Sequence, residues 1–182
     1  MLRDTKNLCI ALASTNKYGY ETLSLVESGG IKIADLGKIL AVYKTKGKAK
    51  RTLTALAKEF KLCKKLLELE KGKGECFGCQ INGCYGACVK EELPLKYNLR
   101  FREAFTKTRI KTWPFKGPIV IPEGEKAHLI DKWCYLGLLE NQNFIADDIN
   151  KNDLQFDWDT YKILVNYLLK PGNNVKIKTL NG

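Results

Sequence analysis

Five of the seven cysteines in this 182-residue chain, Cys63, Cys76, Cys79, Cys84 and Cys88, fall within 26 positions. Gly74, Gly78, Gly83 and Gly86 are interspersed with the last four. So glycine-rich a loop cannot build an apolar core, and clustered thiols of this kind mark a metal or cluster site. The start, Met1-Leu2-Arg3-Asp4-Thr5-Lys6, breaks into charge before an export-type apolar core can form. A cytoplasmic, reducing location follows as the expectation, which argues against a disulfide framework. Cys9 and Cys134 stand alone among apolar neighbours and read as small core residues.

Two ligand sets are open on spacing. Cys76-x2-Cys79-x4-Cys84-x3-Cys88 offers four thiolates that a tetrahedral zinc ion tolerates. Replacing Cys79 by Cys63 gives Cys63-x12-Cys76-x7-Cys84-x3-Cys88, which suits zinc or an iron-sulfur cluster. In either case the glycines let backbone amides approach the sulfurs and offset their negative charge.

Charge names the partner class. The net charge is +11, which favours a polyanion over a neutral metabolite. Nine basic residues against one acid lie between Tyr43 and Lys65, whereas nine acids against three lysines lie between Glu123 and Asp159. On a wheel of about 100° per residue, positions 48 to about 65 form an amphipathic helix. Leu53, Leu56, Phe60, Cys63 and Leu67 share its inner face, with Arg51, Lys58, Lys61 and Lys65 opposite. Lys44, Lys46 and Lys48 extend this track toward a phosphate backbone. A phosphate-bearing polyanion is the expected partner, and DNA the one that the resemblance below implies; the apolar stretches fall far short of the roughly 20 residues of a membrane span.

The fold class expected is α+β, with short antiparallel strands, the basic helix and the cysteine-rich metal- or cluster-binding loop. Segments 1–45 (strands), 46–110 (helix and cysteine region) and 111–182 (strands and a helix) are expected in one lobe. Leu8 to Ala13 and Tyr20 to Val26 read as a hairpin around Thr15-Asn16-Lys17-Tyr18-Gly19, and Ile39 to Tyr43 as a third strand. Tyr97 to Phe105 predicts a helix, and Ile119 to Ile121 and Ala127 to Leu136 predict strands. Asp157 or Asp159 caps a last helix that Lys170-Pro171-Gly172 ends, and Val175 to Leu180 reads as an edge strand.

The run from Cys76 to Val89 (CFGCQINGCYGACV) resembles the cysteine-rich segment that follows the GIY-YIG nuclease domain in the UvrC/Cho excision-repair endonuclease family. It is most similar to that segment in proteins fusing a DNA polymerase III epsilon-like exonuclease to a Cho-like nuclease. Tyr43-Lys44-Thr45, Leu62-Cys63, Glu91-Glu92, Tyr97-Asn98, Trp113-Pro114-Phe115, Asp131-Lys132-Trp133-Cys134-Tyr135 and Phe156-Asp157-Trp158 carry the likeness over roughly residues 40 to 170. The resemblance implies nucleotide excision repair and a 4Fe-4S cluster on Cys63, Cys76, Cys84 and Cys88. Cys79 stands where the family usually has another residue, so it remains an alternative ligand and zinc an alternative metal.

Catalytic motifs are not expected in this chain. Tyr18-Gly19-Tyr20-Glu21 is only superficially like a GIY-YIG element, and no exonuclease carboxylate set precedes it. The chain begins about where a fused nuclease domain would end, so incision is expected from an upstream or separate GIY-YIG domain. His128 and Asp131, three apart on a strand, face opposite ways, which reads as a structural histidine. Ser28-Gly29-Gly30 lacks the Lys-Ser/Thr pair of a phosphate loop and reads as a turn. The alternative function is a zinc-binding nucleic-acid or protein interaction module, with the acidic segment as its docking surface.

Overall fold

The computed structural model describes residues 8–27, 33–139, 156–170 and 176–179. The turn read at Ser28-Gly29-Gly30, the stop at Pro171-Gly172 and much of the acidic stretch (140–155) lie outside them. The chain divides into two compact units, 1–31 with 35–111 and 32–34 with 112–182. Both carry antiparallel sheet and helix, so the α+β class stands.

In the first unit β1 (Cys9–Thr15) is central, between β2 (Glu21–Glu27) and β3 (Ile39–Tyr43), both antiparallel to it. The β1–β2 hairpin forms where the sequence placed it. The Asn16 side chain accepts the amides of Tyr18 and Tyr20 at 3.0 and 3.1 Å, and Gly19 supplies the left-handed φ of +84°. The expected strand segment and the helix-and-cysteine segment share one core. Cys9, Ala11, Leu23 and Tyr43 pack in it with Ala49, Leu53 and Ala57 of α1 (Lys46–Glu59), and with Cys63, Cys76 and Cys84.

Thr45 caps α1 by accepting the Lys48 amide. The helix stops at Glu59 rather than near Lys65. Lys61 takes φ +48°, and the Leu62 amide donates to the Ala57 carbonyl at 2.9 Å. That six-to-one closure is a Schellman ending with lysine in the place usually held by glycine. Cys63 and Leu67 are buried as expected, but on the turns after the helix.

A short helix, α2 (Phe77–Gln80), and a 3-10 turn at Ala87–Val89 shape the cysteine loop. The next long helix, α3 (Pro94–Phe105), starts on Pro94, whose fixed φ suits a first helical position. Tyr97, Phe101 and Phe105 recur at four-residue spacing and stack in sequence, at ring separations of 6.1 and 5.0 Å.

The second unit has a sheet ordered β6-β5-β4-β7, all antiparallel, from β4 (Ile119–Glu123), β5 (Lys126–Asp131), β6 (Cys134–Leu139) and β7 (Lys178–Thr179). The strand expected from Ala127 to Leu136 is therefore a hairpin. Asp131 pairs with Cys134, leaving Lys132 and Trp133 as a two-residue turn with φ of +47° and +67°. Such primed turns normally take Asn-Gly. Here Trp133 is buried among Trp113 and Tyr161, at 5.0 and 5.4 Å, and that packing holds the turn. Asp157, not Asp159, caps α4 (Trp158–Leu169), accepting the Thr160 amide at 2.6 Å. β7 lies at the sheet edge, and Cys9 and Cys134 are buried free thiols, as expected.

Candidate metal centre and nucleic-acid interface

The Schellman turn ending α1 delivers Cys63 to the core, and the loop from Cys76 to Cys88 folds back to meet it. Cys76 lies at the middle of the group, its sulfur 3.3 Å from that of Cys84 and 3.8 Å from that of Cys63. The sulfurs of Cys63, Cys76 and Cys88 all lie within 4.8 Å of one another. Thus Cys63, Cys76 and Cys88 form the compact group, and Cys84 adjoins it at Cys76. Cys79 is half-buried and reaches the group through its backbone, its amide donating to the Cys76 sulfur at 3.3 Å.

Backbone donors surround the thiols. The amides of Leu66 and Lys65 point at Cys63, and that of Gly86 at Cys84. Burial pushes the Cys84 thiol up to about 12 and the Cys63 thiol higher still, with these amides opposing it. Burial acts the same way on Cys76, but hydrogen bonds from Cys84, the Cys79 amide, Cys63 and Cys88 outweigh it and hold that thiol below its usual value. A thiol held below its usual value beside two buried thiols held above theirs is a donor set whose protons a cation would displace. The Tyr97 hydroxyl is buried without a hydrogen-bond partner, its ionisation opposed first by burial and then by Cys63. A four-thiolate group fits this environment, since sulfur anions would meet the amides that face them.

The wall behind the cysteines is pinned by Arg100. Its guanidinium pairs with both carboxylate oxygens of buried Glu92, one at 2.8 Å, and donates to the Phe60 carbonyl at 2.9 Å, capping the end of α1. Arg100 and Lys61 also lie over the Tyr85 ring, at 4.8 and 5.0 Å. Sequence reasoning did not single out Arg100, because only the fold brings it to Glu92 and Phe60.

Lys44, Lys46, Lys48, Arg51, Lys58 and Lys61 are all exposed. Arg51, Lys58 and Lys61 line a single groove, joined by Lys64, which the wheel did not select. Lys65 is drawn away: its ammonium donates to the carbonyls of Lys73, Gly74 and Glu75 at 3.2, 2.9 and 3.0 Å, closing the Gly-Lys joint. The expectation that Lys65 shares the face of Arg51 and Lys58 fails because α1 ends six residues before it.

In the second unit, His128 pairs with the Glu123 carboxylate at 2.7 Å and the Tyr135 hydroxyl at 3.2 Å, rather than with Asp131. The Trp113-Pro114-Phe115, Trp133 and Phe156-Asp157-Trp158 motifs, scattered in sequence, meet in one aromatic cluster around Tyr161 and Trp133.

Residues 8–107 match the model of the UvrC/Cho excinuclease middle domain, and residues 118–182 that of the excinuclease Cho C-terminal domain. The chain belongs to the UvrC/Cho excinuclease family. It is 29% identical over 175 residues to excinuclease Cho of Salmonella typhi and 30% identical to that of Escherichia coli K12. Both alignments cover 92% of this chain and 57% of the relative, so the chain spans little more than half the length of these excinucleases. No solved structure matches it. The two matched UvrC/Cho domains correspond to the two compact units, meeting between residues 107 and 118 where the units divide at 111–112. No helix among the described residues is long and apolar enough to cross a membrane.

Proposed function

We propose that this chain is the DNA-engaging, cluster-stabilised and non-catalytic region of a UvrC/Cho-type repair nuclease, working with a GIY-YIG nuclease domain that makes the incision. The carrying observation is the juxtaposition of Arg51, Lys58, Lys61 and Lys64 with the cysteine loop. Phosphates bind the cations, and the loop forms the opposite wall of the same groove. Cys63, Cys76, Cys84 and Cys88 hold a 4Fe-4S cluster in this reading, which supplies four metal-thiolate bonds in place of an apolar core. A specific observation favours zinc as the second reading. Tetrahedral zinc with bonds of about 2.3 Å sets its sulfurs about 3.8 Å apart, which is the separation of Cys63 and Cys76, with Cys88 within 4.8 Å of both.

Metal content separates the readings. Anaerobically purified protein is expected to be brown, with iron and sulfide near stoichiometric; Cys84→Ser loses the colour and Cys79→Ser keeps it. Zinc without iron would install the second reading.

DNA engagement is tested by salt dependence. Four phosphate contacts give a log-log slope of roughly −3.6 on duplex DNA. Arg51→Glu with Lys58→Glu is expected to weaken binding on every sequence and to flatten the slope by about two. The same preparations with Mg²⁺ or Mn²⁺ should leave the DNA uncut. An unchanged slope in the double mutant would make the basic face an ordinary solvated surface.

A further inference from the structure

The groove between α1 and the cysteine loop is more than a basic track. It encloses about 590 Å³, within the roughly 300 to 1,000 Å³ of small-molecule sites. Ala55, Ala57, Leu62 and Ile81 provide its apolar surface, while Gly78 and Gly83 leave bare backbone on either side of Ile81 along the loop wall. The rim carries Arg51, Lys58, Lys61 and Lys64, and among the described residues no carboxylate lines it. A phosphate alone would gain nothing from an apolar floor, because it keeps its hydration. An apolar peptide would gain nothing from four unopposed cations. The occupant that suits both is a flat, largely apolar body joined to phosphates.

Resting on the DNA reading above, we infer that this groove receives one unpaired DNA base, with the flanking phosphates held by the cations at its rim. Ile81, which lines the groove, and Phe77, four residues before it on the loop, are 59% and 57% exposed, so apolar surface is available to an occupant at the groove mouth. Apolar and aromatic surfaces interleaved with cations are how proteins grip unstacked bases without reading sequence. Removing a base from the stack costs least where it is already unpaired, so the groove discriminates in favour of distorted or looped-out nucleotides.

The test compares a duplex containing one looped-out nucleotide with the same duplex fully paired, titrated with the metal-loaded protein. The looped-out duplex is expected to bind about tenfold more tightly, the order that a base contact contributes. Ile81→Ser, at a site exposed enough not to disturb folding, should erase that preference and leave affinity for the paired duplex unchanged. Ala55→Leu, which fills the floor, should do the same. Equal affinity of the wild type for both duplexes, with salt-dependent binding intact, would overturn the base pocket and leave the DNA reading standing. Absence of salt-dependent binding to either duplex would overturn both. A preference surviving Ile81→Ser and Ala55→Leu would place the base elsewhere. A concentration-dependent dimer lost in Ile81→Ser would give the groove to a second copy of the chain.

Discussion

At Gly86 the backbone turns left-handed, with φ +75°, directly beside the side chain of Glu91. A Cβ at this position would stand 2.8 Å from the Glu91 Cβ, closer than real carbon contacts, and the same residue's amide points at the Cys84 sulfur. Conformation and space therefore both require glycine here. Gly86→Ala is expected to destabilise the metal-loaded protein by about 2 kcal/mol, read by urea denaturation, and to lower metal retention on dialysis. Gly74, also left-handed at φ +74° but with open space around it, provides the control: strain without the clash.

Among the elements, α1 is the one whose end matters most. Its last carbonyls are held by Arg100, which is held by Glu92, and the Glu92 carbonyl in turn accepts the Tyr20 hydroxyl at 2.5 Å. Through this chain the start of β2, the end of α1 and the beginning of α3 fix one another, and Cys63 lies three residues beyond Phe60. Glu92→Ala would leave the guanidinium without its carboxylate while it still faces the carbonyls. The expected cost is about 2 kcal/mol, less than for a fully buried pair because Arg100 keeps some solvent contact. Denaturation of Glu92→Ala, Arg100→Ala and the double variant measures the coupling; additive losses would show that the two residues act separately.

For the whole molecule, the two units differ in what stabilises them. The clustered cysteines belong entirely to the first unit, whereas Trp113, Trp133 and Trp158, the only three tryptophans in the chain, belong to the second. Tryptophan emission thus reports on one unit and, in the proposed reading, bound metal on the other. Stripping metal with a chelator under reducing conditions is expected to lower the first unit's thermal transition, followed by circular dichroism, while the tryptophan emission maximum stays in place. A red shift of that maximum on metal removal would show that the second unit also depends on the centre.

Local chemistry made much of this legible before any coordinates. The β1–β2 hairpin followed from Asn16 and Gly19, and the site from the crowding of five cysteines; of the inner face read for α1, Leu53 is buried, Leu56 and Phe60 are half-buried, and Ala49 and Ala57 complete it without having been read. Each of these signals resides in a few adjacent residues or in a fixed period. Other features carry no such mark. Lys61 ends α1 in a conformation for which lysine has no preference, and this one residue hands the groove to Lys64 and sends Lys65 to the carbonyls of the Gly-Lys joint. Lys132 and Trp133 turn a hairpin that reads as unbroken strand, because the burial of Trp133 against distant aromatics stabilises it. The sequence by itself determined the β1–β2 hairpin, which helix is basic and that the clustered thiols form a site. Tertiary structure alone decided where α1 stops and which cations face the cysteine loop, because those outcomes depend on partners such as Arg100 and Glu92 that only folding brings within reach.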